Sequence, residues 1–182
     1  AVAGLPAREP GGVSLQSSSG SFDAWVQRSH ADLRMLTART PDGPYPYAGV
    51  PWFATPFGRD GLWSALLTLW CDPAMARGVL LFLARHQAHA HDPVADAEPG
   101  KILHEMRHGD MAACREIPFG CYYGSVDATP LFVLLAAAYA FARVIARPLR
   151  ELNAAVDELG RGGTPAPLPE SGPSEIAAVN RR

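Results

Sequence analysis

Residues 128–159 read ATPLFVLLAAAYAFARVIARPLRELNAAVDEL. The run holds helix-forming residues throughout and predicts helix from Ala128 to about Leu159, with Pro148 either bending it or starting a new one. Its texture changes near Ala140 and Phe141. Before that point the run is almost wholly apolar. After it, Ile145, Leu149, Leu152, Val156 and Leu159 recur at alternating spacings of four and three, the pattern of a coiled-coil seam. Leu131 to Ala146 falls short of the roughly 20 apolar residues that cross a bilayer, and Arg143 interrupts it, so a membrane span is not expected. The same stretch fits a buried helix of a globular domain.

Downstream, Gly160-Arg161-Gly162-Gly163 should end the helix, TPAPLPESGP reads as an extended connector with Leu168 as a lone anchor, and Glu175-Ile176 opens a second helix. Upstream, Phe22, Trp25, Val26, Leu33 and Leu36 predict a helix over 22–37. TPDGPYPYAGVPWFATPFG has too many Pro and Gly for helix and reads as a long loop of the kind that often carries function. A second helix should run from Arg59 or Asp60 to Trp70, and Asp72-Pro73 should stop it and start a third, to about His89. Residues 91–121 read as irregular, with a short turn of helix around Leu103 to Arg107. Strand signals are weak, so the expected class is all-α, a toroid or bundle.

A net charge of −2 leaves no basic excess for nucleic acid or an anionic membrane surface. Cys71, Cys114 and Cys121 have neither metal-ligand spacing nor disulfide-framework density, and read as reduced thiols of a reducing compartment. The opening AVAGLPAREPGGVSLQSSSG has no apolar core behind a basic start, so it is not expected to be a signal peptide; it reads as a flexible lead-in over 1–21 or a cut end.

Three constellations could carry chemistry. In Phe57-Gly58-Arg59-Asp60, Gly58 permits a tight turn, and a donor fork beside an acceptor can grip two adjacent hydroxyls of a sugar. Trp52, Phe53 and Phe57 would offer apolar platforms. The competing reading is an N-capping Asp with an Arg partner. Lys101 to His108 contains H-E-x-x-H, the helical zinc pattern, but Pro99, Gly100 and Gly109 crowd it and Arg107 would set a fixed cation between His104 and His108. A polar loop lining a cleft is the alternative. In Tyr122-Tyr123-Gly124-Ser125-Val126-Asp127-Ala128-Thr129-Pro130, partial desolvation could keep Asp127 protonated as a general acid, or Asp127 or Thr129 could simply cap the helix.

The blocks YPYAGVPWFATPFGRDGLW, LTLWCDPAMARGVLLFLARHQA, DAEPGKILHEMRHGDMA and PFGCYYGSVDATPLFVLLAAAY together resemble the catalytic domain of bacterial amylo-α-1,6-glucosidase, or glycogen-debranching-type, glycoside hydrolases, from about Phe22 to Tyr139. The resemblance implies an (α/α)6 toroid, of which residues 22–140 supply only the first helical hairpins, and hydrolysis of α-glucosidic bonds in an α-glucan or oligosaccharide without metal or other cofactor. Asp127 falls on the expected general acid, and Arg59 and Asp60 on the pair that holds the non-reducing glucose. Trp52, Phe57, Lys101, His104, Glu105, Arg107, His108 and Tyr123 fall on the pocket-lining blocks. Asp110 stands where the family usually has Glu. No segment matches the one that carries the family's general base, so negligible turnover is expected.

ARPLRELNAAVDELGRGG and PLPESGPSEIAAV resemble a HAMP linker of a membrane sensor histidine kinase or chemoreceptor, from about Arg143 to Arg182, lacking most of its second helix. The expected organisation is thus a lead-in over 1–21, a partial glycosidase domain over 22–140 and a partial HAMP-like segment over 141–182. A fused or rearranged reading frame would account for two partial patterns meeting at one seam. The main functional expectation is a cytoplasmic α-glucan hydrolase fragment. The alternative is a HAMP-containing signalling fragment, dimeric through its helix and membrane-associated if that context is genuine. A zinc protease is the remote third.

Overall fold

The computed structural model describes residues 15–114, 116 and 120–164. The connector from Pro165, Leu168 and the second HAMP-like helix lie outside the described residues, as do the first fourteen residues of the lead-in. The chain divides into two compact units, at Leu135 and Ala136. The described residues are mostly helical, with one small sheet.

In the first unit, α1 (Gly20–Leu36) starts on Ser19, whose hydroxyl accepts the Phe22 N–H. No residue of α1 is buried. The chain then forms an antiparallel hairpin of β1 (Thr37–Thr40) and β2 (Gly43–Pro46), paired Thr37 with Pro46 and Thr40 with Gly43. This corrects the all-α expectation and shortens the loop expected from Thr40. Pro44 and Pro46 are compatible with a strand because they alternate with Tyr45 and Tyr47. Tyr47 donates its N–H to the Leu36 carbonyl, so by the two-residue period the prolines sit where no donor toward β1 is needed. The turn is Thr40-Pro41-Asp42-Gly43, with Gly43 at φ 128°. Its Thr40 hydroxyl donates to the Gly43 carbonyl and accepts from the Asp42 N–H.

The hairpin packs on α3 (Pro73–Arg85), which begins where Asp72 caps the Ala74 and Met75 N–H groups. Gly78 makes that approach possible: a β-carbon there would stand 2.3 Å from the Pro44 carbonyl oxygen. Tyr45, fully buried, packs against Phe82 with tilted rings 4.6 Å apart and donates its hydroxyl to the Phe57 carbonyl. The core is completed by Leu62 and Ala65 of α2 (Gly58–Thr68), by Met75, Val79 and Leu83 of α3, and by Ile102 and Leu103. Helix α3 stops four residues before the expected His89. The Phe82 carbonyl there accepts both the backbone N–H and, at 2.8 Å, the ring Nδ1 of His86, and Ala88 pairs with Lys101 and Gly100 instead of continuing the helix.

A four-residue helix, α4 (Asp110–Ala113), precedes α5 (Ala128–Phe141). The second unit begins within α5. A single wide π turn, Ala142–Ala146, leads into α6 (Arg147–Gly160). Pro148 explains the widening: it has no N–H for the Val144 carbonyl, and its ring would crowd that carbonyl in a regular α turn. Pro148 thus opens α6 within its first turn. The helix ends as expected at the glycines, with Gly162 at φ 79° and Gly163 donating to the Glu158 carbonyl.

Candidate functional site

Three chain segments come together beside the start of α2. Residues 104–106 run extended between 56–58 on one side and Tyr122 on the other. Gly58 donates to the His104 carbonyl at 2.8 Å, Met106 to Pro56 at 3.1 Å, and His104 and Glu105 to Tyr122 at 2.8 and 3.1 Å. Tyr122 returns a bond to Glu105 at 2.9 Å. This corrects the short helix expected around Leu103 to Arg107: a glycine at 58 lets the segment form backbone pairs on both sides. A β-carbon on Gly58 would fall 1.8 Å from the Leu103 carbonyl oxygen, so this glycine serves close approach and not a special turn conformation. Because 104–108 is not helical, His104 and His108 do not share the helix face that the zinc pattern requires, and His108 is exposed.

Around this frame Arg59, Asp60, His104 and Asp127 converge. Arg59 Nη1 lies 3.8 Å from Asp127 Oδ2 and its Nε 3.9 Å from Asp60 Oδ2, both looser than a direct hydrogen bond. Asp60 sits in the first turn of α2, and the cap position belongs to Phe57, which contributes no side-chain bond. The His104 ring stands between Phe57 and Tyr122, edge to face with each at 5.9 and 6.1 Å. Its Nδ1 is buried without a hydrogen-bond partner.

Asp127 is partly exposed, and its surroundings favour the carboxylate. The Ser125 hydroxyl bonds its Oδ1, and this, helped by its own backbone N–H, Arg59 and His104, outweighs partial burial and holds the carboxyl below its ordinary range. Neither Asp127 nor Thr129 caps α5 through its side chain. Ser125 Oγ accepts the Ala128 N–H at 3.3 Å, and Thr129 Oγ1 accepts from the Ile102 N–H at 3.1 Å.

The remaining predicted residues separate into distinct places. Trp52 is 79% exposed, and Phe57 packs on Phe53 at 5.8 Å. Glu105 is buried and ion-paired to Arg107. Lys101 turns toward Asp96 and Glu98, at 3.2 and 3.7 Å, and lines an open cleft of about 510 Å³ with Asp96, Gly124, Ser125, Val126 and Thr129. Tyr123 is buried and spends its hydroxyl on the His86 carbonyl at 2.8 Å. Burial and the neighbouring Cys121 push its phenol up to about 12. Ser125 and Tyr122 were not singled out by the sequence as site residues; Ser125 carried a signal in its place two residues before Asp127, the spacing of a local side-chain turn. Cys71, Cys114 and Cys121 are all free.

Arg59 offers donors, and Asp60 and an ionised Asp127 offer acceptors, across a partly exposed opening beside aromatic rings. That set can bind a neutral polyhydroxyl compound.

In the second unit, Leu149, Val156 and Leu159 of the expected seam are exposed along α6. Ala128–Gly160 is long and apolar enough to cross a membrane, with a mean hydropathy of 1.8 over its best 18-residue window, of which 11% is buried. The apolar part of this helix lies before Arg147, and beyond it the sequence turns polar with Arg147, Arg150 and Glu151. Arg143 folds back on the same helix, donating to the Tyr139 hydroxyl at 3.3 Å with its guanidinium over the ring.

Among protein families, the HAMP domain matches residues 140–182. Comparison with curated proteins gives no match.

Proposed function

We propose that the chain acts in signal transduction through a HAMP-type segment over 140–182, associated with a membrane through the apolar helix that precedes it. The observation that carries this is the HAMP match, beginning beside the point where the sequence turns from continuously apolar to a four-three stripe. HAMP domains occur in membrane-anchored signalling proteins. The stripe supports a parallel dimer, since Leu149, Val156 and Leu159 are too exposed in a single chain to be core residues of it. Single cysteines at Leu149, Leu152, Val156 and Glu158, in a background with the three native cysteines replaced by Ser, test it by oxidative cross-linking of the full chain. Dimer is expected at the first three positions and not at Glu158; equal cross-linking at all four, or none, would sink the dimeric reading.

A second reading is favoured by the convergence of Arg59, Asp60, His104 and Asp127. Residues 22–140 would be a portion of an (α/α)6 toroid of debranching glycosidase type that binds an α-glucan with little turnover. An ionised Asp127 suits gripping a hydroxyl better than donating a proton. Isomaltose added to the full chain should shift the His104 ring resonances without releasing glucose. Rapid release of glucose from a limit dextrin would overturn the low-turnover part, and unshifted His104 signals would overturn sugar binding.

A further inference from the structure

The resemblance puts Arg107 among ligand contacts, but its guanidinium is already committed elsewhere. Its Nε donates to Glu105 Oε1, its Nη1 donates to the Trp52 carbonyl at 3.3 Å, and its plane lies 5.9 Å from the centre of the Phe53 ring. Glu105 is a firm anchor, since its side chain is buried and its backbone is paired both ways with Tyr122. The loop it reaches is also tied at its base, where the Thr55 hydroxyl bonds the Met106 carbonyl and Met106 donates to the Pro56 carbonyl, and at Phe53, whose carbonyl accepts from Gly49 and Thr55 and whose ring packs on Phe57. Trp52 lies inside the Gly49–Phe53 bridge and is exposed; besides that bridge, the bond from Arg107 to its carbonyl ties it to the Glu105 segment.

We propose that Arg107 is a positioning residue: braced on Glu105, it fixes the 49–55 loop so that Trp52 presents a rigid indole face to the apolar side of a sugar ring. The sugar in this statement rests on the second reading above. An exposed indole that is fixed beforehand loses little freedom on contact, whereas one on a loose loop must be ordered by the ligand. A planar fork that bonds a carboxylate and a carbonyl at once while covering an aromatic face is a task for Arg that Lys cannot perform.

The test uses the full chain labelled with 5-fluorotryptophan and read by fluorine NMR, with the Trp52 signal assigned by Trp52→Phe. In Arg107→Met and Arg107→Lys the Trp52 signal should move toward that of a solvent-averaged indole, while Trp25, Trp63 and Trp70 stay in place and thereby report an intact fold. An unmoved Trp52 signal in both variants overturns the proposal. Should Arg107→Met lose all dispersion by unfolding, Arg107→Lys, which keeps the charge and stem, still decides it. In the isomaltose arm, affinity should fall about tenfold in both variants, the scale of one aromatic contact. A fall without movement of Trp52 means direct contact by Arg107 and overturns the positioning role. If the wild-type chain shows no isomaltose response while Trp52 moves in the variants, the sugar reading fails and the brace stands.

Discussion

At the scale of single residues, the local environment of Asp127 decides what it can do. The carboxylate is favoured by the Ser125 hydroxyl and by Arg59, so its folded pKa lies below the ordinary 3.8. A group depressed on folding contributes stability that is fully present above its unfolded pKa and is lost as pH falls through the folded value. Carbon-detected NMR titration of Asp127 should therefore give a midpoint below 3.8, and Ser125→Ala should raise it. A midpoint above 3.8 in the wild-type chain would restore the protonated acid that the sequence suggests. The sequence shows Asp127 close to two tyrosines; it does not show which way they turn. The Tyr123 hydroxyl goes to the His86 carbonyl, Tyr122 meets the His104 ring and lays its hydroxyl against Gly124, and the Asp127 side chain stays partly exposed.

At the scale of elements, the contact between the β1–β2 hairpin and α3 depends on two features. The first is the missing side chain of Gly78. Gly78→Ala should destabilise the fold by about 1–3 kcal/mol through forced separation of α3 and β2, measured by chemical denaturation. The second is the pair of Arg85 at the end of α3 with Asp42 in the turn, where Asp42 is buried and Arg85 half exposed. Asp42→Ala removes a charge-assisted bond and should cost about 1.5–3 kcal/mol in the same assay. An Asp42→Ala chain as stable as wild type would mean that the hairpin is held by Tyr45 and the glycine contact alone. The hairpin was legible in principle, since Pro-Asp-Gly is a turn signature with a mechanism. The prolines of Gly43–Pro46 concealed it, because only the pairing register shows that both stand at positions needing no donor. The starts of α2 and α3 were legible to within two residues, because Asp72-Pro73 is a strong local stop and start; the end of α3 was not, because His86 turns back onto the Phe82 carbonyl.

At the scale of the whole molecule, the chain joins a unit with a buried core to one whose described residues run mainly along a helix. The first holds Tyr45, Leu62, Leu83, Ile102 and Leu103 essentially without solvent access, whereas α6 leaves most of its apolar stripe exposed. Amide exchange of the full chain should accordingly show strong protection in α2 and α3 and early exchange along 147–160 in the absence of membrane or self-association. Uniform protection across both units would refute that division. Flotation with phosphatidylcholine vesicles addresses the apolar helix: the full chain should rise with the vesicles, and Val133→Glu with Leu134→Glu should abolish this, since each carboxylate is costly in hydrocarbon.

The sequence alone determined the starts of the main helices, the change of character near Ala140, the end of α6 at its glycines and the residue types able to bind a polyol. These depend on caps, periodicity and composition, which act over a few neighbouring residues. Only the tertiary structure decided that residues 104–106 are extended between two other segments, that Arg59 stands beside Asp127, and that Arg107 bonds the Trp52 carbonyl. Each of these is a contact between residues distant in sequence: Gly58 with His104, Arg59 with Asp127, and Arg107 with Trp52. Such contacts are set by which backbones can approach closely, and that is a property of the packed chain.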